Sequence, residues 1–179
     1  MEICMRKILL WTTIAFGALY IAPVAAQPLP EKTIDPAKII PYFDVATLDA
    51  TLKTVTGNHL ATVTPAGENI ITAYSPNGLE FTIHFHQCDE QVPVRCKALQ
   101  LLTSWSLDDQ KLDLQNILPA FQRSHLFVNS GILEDGRPYL ARIIIADQGL
   151  AQGNLAAEIR NFIGDATSFN GKLIEATRE

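Results

Sequence analysis

Leu79-Glu-Phe-Thr-Ile-His-Phe-His-Gln-Cys88 and Cys96-Lys-Ala-Leu-Gln-Leu-Leu-Thr-Ser-Trp105 are the two stretches that decide the fold. The first alternates: Leu79, Phe81, Ile83 and Phe85 point one way, and Glu80, Thr82, His84, His86 and Cys88 point the other. With Cys88 opposite Cys96, Phe85 faces Leu99, Ile83 faces Leu101, Phe81 faces Thr103 and Leu79 faces Trp105. The polar face then pairs His84 with Gln100 and Glu80 with Ser104. A slip of one residue destroys this agreement, so the cysteines and the hydrophobic pattern choose the same antiparallel register.

The cysteines also speak to compartment. Residues 1–26 read as a signal peptide: Arg6 and Lys7 form a basic start, Ile8 to Ala22 is apolar, and Val24-Ala25-Ala26 offers small residues for cleavage. The apolar run is shorter than the ~20 residues a spanning helix needs, and Pro23 ends it, so an uncleaved anchor is the lesser reading. Cys4 precedes the run and leaves with the signal. The chain is therefore expected in the periplasm or outside the cell, starting at Gln27, and Cys88 and Cys96 are expected to form a disulfide.

Of 179 residues, 153 then remain, enough for one domain with a proper core. Removing Glu2, Arg6 and Lys7 from 14 basic and 19 acidic residues leaves 12 and 18, a net charge near −6. That balance, with no basic cluster, excludes nucleic acid and an anionic membrane surface as partners.

Gln27 to Pro41 reads as an extended, proline-bearing lead-in, and 42–179 as an α+β domain. Asp44 or Thr47 caps a short helix with Leu48, Leu52 and Val55 on one face and Gly57 as its stop. His59–Thr64 and Ile70–Tyr74 are strands, and Ser75-Pro-Asn-Gly78 turns the chain into Leu79–Gln87. Leu114, Ile117, Leu118 and Phe121 give a helical stripe, shortened or disturbed by Pro119. Leu126–Leu133 and Tyr139–Ala146 flank an Asp135-Gly136 hairpin, and the apolar run Leu140–Ala146 has the pattern of a central strand. Asn154 or Gly153 caps a long last helix with the stripe Leu155, Ile159, Phe162, Ile163, Ala166, Phe169 and Leu173. The sum is an antiparallel sheet with helices on one face.

In that order and spacing the chain resembles the YbjN family, the so-called bacterial sensory transduction regulator domain, from about Ile39 to Ala176. The resemblance rests on the helix ending at Gly57, on Phe81-x-Ile83-x-Phe85-x-x-Cys88, and on Cys96 followed by Leu99-x-Leu101. Phe127, Glu134-Asp-Gly136, Gln148-Gly149-Leu150 and the long closing helix complete it. The family tends to carry an Asn and a Trp-Asn pair on the middle helix, where this chain has Phe121-Gln122 near Pro119. The resemblance implies a type III secretion chaperone-like fold whose sheet binds protein and often dimerises. It transfers no catalytic residue.

The sharpest chemical alternative is a periplasmic metal site on His84 and His86, with Cys88 and Cys96 as neighbours. The Cys-x7-Cys spacing is not a zinc-knuckle spacing, and exported thiols oxidise. Asp108-Asp109 reads as helix-start charge and Glu134-Asp135 as a turn. His59 and His125 have no visible partner, Ser104 and Ser124 lack a nucleophile elbow, and Trp105 is assigned to the core. No phosphate loop, HExxH or dinucleotide fingerprint occurs. The sequence thus reads as a non-enzyme without cofactor, binding another protein or a second copy of itself.

Overall fold

The computed structural model describes residues 34–89, 94–107 and 112–178. The proposed signal segment, Asp108-Asp109 and the tip of the cysteine hairpin lie outside them. The elements run β1 (Ile39–Ile40), α1 (Val45–Val55), β2 (Asn58–Val63), β3 (Asn69–Tyr74), β4 (Glu80–Cys88), β5 (Cys96–Ser104), α2 (Leu114–Ser124), β6 (Asn129–Ile132), β7 (Pro138–Ile145), β8 (Leu150–Ala151) and α3 (Gln152–Ala176). Six strands form an antiparallel sheet in the order β2-β3-β4-β5-β7-β6, and β1 and β8 form a separate pair. The fold is α+β.

The register of β4 on β5 is the one the sequence dictates: Cys88 opposite Cys96, Phe85 opposite Leu99, Ile83 opposite Leu101, His84 opposite Gln100. Phe81, Ile83, Leu99 and Leu101 are buried together with Ile71 and Ala73 of β3 and Leu140 and Ile144 of β7. Helix α3 covers this row with the expected stripe, burying Leu155, Ile159, Phe162, Ala166, Phe169 and Leu173. Its rings meet sheet and α2 edge to face, Phe162 on Phe81 at 5.6 Å, and Phe169 on Trp105 at 5.0 Å and Phe121 at 4.8 Å. Such pairs add to simple area burial. Trp105 is partly buried and packs against the core through Phe169.

Helix α1 starts in a capping box: the Asp44 carboxylate accepts from Thr47 N–H at 2.6 Å, and Thr47 Oγ1 accepts from Asp44 N–H at 2.9 Å. Both candidate caps thus act in one motif. Gly57 is not a left-handed stop. The chain leaves the helix extended at Thr56, and Gly57 N–H donates to the Tyr74 carbonyl at the start of the β2–β3 ladder. Neither Asn154 nor Gly153 caps α3, which begins earlier, after Ala151, without a side-chain cap. Gly153 serves the lead-in instead: its N–H donates to the Pro36 carbonyl, and an added Cβ would lie 2.8 Å from Pro36 Cβ. That contact, β1 and buried Ile40 tie the lead-in from Ile34 onward to the packed structure.

Two departures concern the far side of the sheet. Leu126–Leu133 is not one strand; β6 is only Asn129–Ile132, because Val128 N–H closes a turn onto the His125 carbonyl and Asn-Ser-Gly is a weak strand former. The run Leu140–Ala146 lies in an interior strand, as its pattern implies, since β7 stands between β5 and β6, but its cover on one side is partial. β6 pairs with β7 only from Pro138 to Ala141, so the rest of β7 has no strand neighbour on that side among the described residues.

Arg142 breaks the apolar run on the core face of β7 and is buried. Its guanidinium binds Glu158 at 2.6 Å and Asp165 at 3.5 Å, both on α3. Removing one partner of a buried pair costs more than the pair contributes, because the other charge loses its compensation. The two carboxylates keep part of their hydration, which moderates the loss. Arg142→Ala should lower unfolding free energy by ~1–3 kcal/mol, whereas Arg142→Met combined with Glu158→Gln and Asp165→Asn, which leaves no charge uncompensated, should cost clearly less, both read from urea denaturation.

Candidate functional site

Cys88 and Cys96 are joined in a disulfide. The backbone explains why this pair accepts a bridge. Cys96 spends its N–H and its C=O on Phe43, at 2.9 and 2.7 Å, so Cys88 and Cys96 form a non-hydrogen-bonded cross-strand pair, the kind with the closer side chains. Asp89 then closes the ladder, its N–H donating to the Arg95 carbonyl and its carboxylate accepting from Arg95 N–H. The sulfurs are thereby committed to each other.

The outer face of the sheet carries the two histidines. His84 is half-buried, with Nε2 3.0 Å from Thr82 Oγ1 on its own strand; His86 Nε2 instead lies 3.2 Å from Gln100 Oε1 on β5. The rings therefore turn to different partners. No cluster of three or more His, Cys, Asp or Glu side chains able to hold a metal occurs among the described residues. Burial, followed by the neighbouring charge of His86, holds His84 below its ordinary pKa of 6.5.

Other sequence candidates also find local partners. His59 Nε2 lies 3.1 Å from Asp49 on α1, and the Lys53 ammonium beside Asp49 holds that carboxyl below its usual range. His125 stacks on Phe121 at 3.8 Å, with Nδ1 3.1 Å from the Phe121 carbonyl. Ser124 donates to the same carbonyl, and its Oγ also lies 3.0 Å from Nδ1 of the adjacent His125, so hydroxyl, ring and carbonyl form one local contact at the helix end. Glu134-Asp135 sits at the hairpin tip, where Asp135 accepts from Arg137 and Gly136 supplies a φ of 85°. A groove of about 510 Å³ separates α2 from the end of α3, lined by Ile117, Phe121, His125, Lys172 and Glu175. Its ammonium and carboxylate are paired with each other at 2.8 Å and stand largely in solvent, so they do not converge on a buried point in the groove.

What the structure gathers and the sequence did not show is the corner around β7. Ala146 N–H donates to the Lys97 carbonyl and Trp105 N–H to the Pro138 carbonyl, so the even-numbered residues of β7 bond to β5 and the odd-numbered ones face the other way. Beyond Ala141 that other side has no strand among the described residues, so Ile143 and Ile145 present their backbone groups outward, and their side chains are 56% and 60% exposed. Leu126 and Phe127, 79% and 78% exposed, lie in the segment that leads into β6 at Asn129, which stands opposite Ala141, and the Phe127 ring is 5.7 Å from the Arg142 guanidinium. The sequence signal was the weak strand formers Asn129-Ser-Gly131 after two large apolar residues.

A scan of protein-family models, a search of curated proteins and a search of solved structures return no match to this chain. Among the described residues no helix is long and apolar enough to cross a membrane.

The depressed pKa of His84 gives a pH dependence with a defined sign. The unfolded chain takes up the proton first as pH falls below 6.5, so the contribution is intact above 6.5 and is lost as pH falls through the lower folded value. Unfolding free energy from urea titrations should fall over that window. His84→Gln should flatten part of the slope; an unchanged slope would assign the acid sensitivity to other groups.

Proposed function

We propose that this chain is an exported, non-enzymatic, YbjN-like module that binds an extended apolar segment of another protein, in a regulatory or chaperone-like role. The carrying observation is the half-built edge of β7. Ile143 and Ile145 offer unpaired backbone donors and acceptors, and Leu126 and Phe127 offer apolar surface beside them. An added strand would take its hydrogen bonds from the edge and place alternate side chains against the exposed isoleucines. Large apolar residues massed at one exposed corner support an interaction role, whereas scattered ones need no explanation. The chemistry-bearing side chains, by contrast, are engaged with near neighbours in separate pairs.

The type III secretion chaperone-like subtype of the fold and a periplasmic location belong to the same reading. They are supported by the α+β layering with helices on one face and by the Cys88–Cys96 bridge.

A photoreactive amino acid placed at Ile143, and separately at Asn170 on α3, tests the site in the producing cell. The expected result is a defined protein adduct from position 143, absent from position 170 and lost when Ile145→Lys is added. Identical adduct patterns from the two positions would refute the edge as the binding surface.

A further inference from the structure

The opposite edge of the sheet has a different character. Among the described residues β2 pairs only with β3, and its sequence Asn58-His-Leu-Ala-Thr-Val63 contains no lysine, proline, glycine or carboxylate. Edge strands usually carry such residues to block pairing with another chain. Its inner and outer side chains both remain in water, with Leu60 62% and Val63 64% exposed.

The direction of its backbone groups follows from the neighbouring ladder. Thr64 N–H donates to the Glu68 carbonyl, which makes Thr64 opposite Glu68 a hydrogen-bonded pair; alternation then assigns Thr62, Leu60 and Asn58 to β3. The β3–β4 side agrees, since Ser75 N–H donates to Leu79 and so turns Ala73 and Ile71 toward β4 and Thr72 and Ile70 toward β2. His59, Ala61 and Val63 therefore present their N–H and C=O groups to the free edge. Among the described residues, His59 N–H alone of these has a partner, the adjacent Asn58 side chain at 2.8 Å.

We infer that this edge pairs with the same edge of a second copy, antiparallel, about a two-fold axis through Ala61. Two-fold symmetry perpendicular to the sheet keeps faces matched only if paired residue numbers sum to an even value. An axis at Leu60 would oppose Leu60 to its copy in a non-hydrogen-bonded pair and leave Val63 unused. An axis at Ala61 makes Ala61–Ala61, His59–Val63 and Val63–His59 hydrogen-bonded pairs, about six backbone bonds. It also lays Val63 beside the partner's His59 on one face and Leu60 beside the partner's Thr62 on the other. No like charges meet across the ladder, and the adjoining Asp49 and Lys53 of α1 neutralise each other at 2.5 Å. Because the symmetry uses the same edge on both copies, association closes at two. A six-residue ladder is smaller than the interface of a stable dimer, so the association is concentration-dependent and of micromolar strength or weaker. This surface is separate from the β7 corner, so either reading can fail without the other.

The test uses the protein as its host produces it, with the Cys88–Cys96 bridge intact. Sedimentation velocity from about 5 to about 500 μM should show a reversible monomer–dimer equilibrium and nothing larger. Ala61 is exposed, so Ala61→Lys should leave thermal unfolding unchanged while weakening association at least about tenfold through like charges at the axis. Independently, Ala61→Cys should trap a covalent homodimer under mild oxidation, since a hydrogen-bonded pair holds Cα atoms about 5.5 Å apart, while Thr72→Cys should not. A monomer throughout the range overturns the inference. So does a dimer indifferent to Ala61→Lys and untrapped by Ala61→Cys, or growth beyond two copies.

Discussion

Cys96 is held from two sides at once. Its backbone N–H and C=O are spent on Phe43 and its sulfur on Cys88, so one residue joins the start of β5, the end of β4 and the segment that leads into α1. A disulfide closing so short a loop stabilises by roughly 2–3 kcal/mol in the chain-entropy view, comparable to burying one large side chain. Its larger consequence is geometric. With the β4–β5 register fixed, Phe81, Ile83, Leu99 and Leu101 form a continuous apolar row, and α3 has one surface on which its own stripe fits. Phe43, fully buried, is followed at once by the Asp44 cap, so the same anchor sets where α1 begins.

Legibility followed the range of the forces. Cross-strand alternation, the Asp44–Thr47 box and the α3 stripe are local patterns read within a few residues, and each stands where the sequence placed it. Contacts between distant segments were not legible. Gly153 reads as a cap because glycine tolerates many backbone states, yet its role is to let Pro36 approach a helix surface from more than a hundred residues away. Arg142 interrupts an apolar run in a way that sequence alone leaves without a reason; the reason is two carboxylates on a helix that comes later. The same limit applied to the candidate site. Strand propensity could not say that β6 stops opposite Ala141, and that stop is what leaves Ile143 and Ile145 uncovered.

The distribution of polar groups argues for recognition over catalysis. Chemistry needs groups that converge on one point with an unspent proton or lone pair. Here the outer-face side chains stand in rows, and His84, His86, His59 and His125 each turn to a different neighbour. Among the described residues the unspent hydrogen-bonding capacity is in the backbone, along β2 at one end of the strand order and, toward the other end, along the part of β7 that β6 leaves uncovered.

Those two ends differ in a way that decides what each can accept. At β2 the open stretch is long, free of acidic residues and of lysine and arginine, and its outward backbone groups at His59, Ala61 and Val63 are disposed symmetrically about Ala61, so a second copy satisfies it with the same groups it offers. At β7 the open stretch is short and rimmed by Leu126 and Phe127 from outside the strand, so a copy of the same edge would set two bulky corners against each other. An extended segment of a different chain avoids that conflict. Each added backbone hydrogen bond contributes only ~0.5–1.5 kcal/mol, because water already satisfies an exposed edge. Selectivity at either edge must therefore come from the side chains beside it: Leu60 and Val63 on one, and Ile143, Ile145, Leu126 and Phe127 on the other.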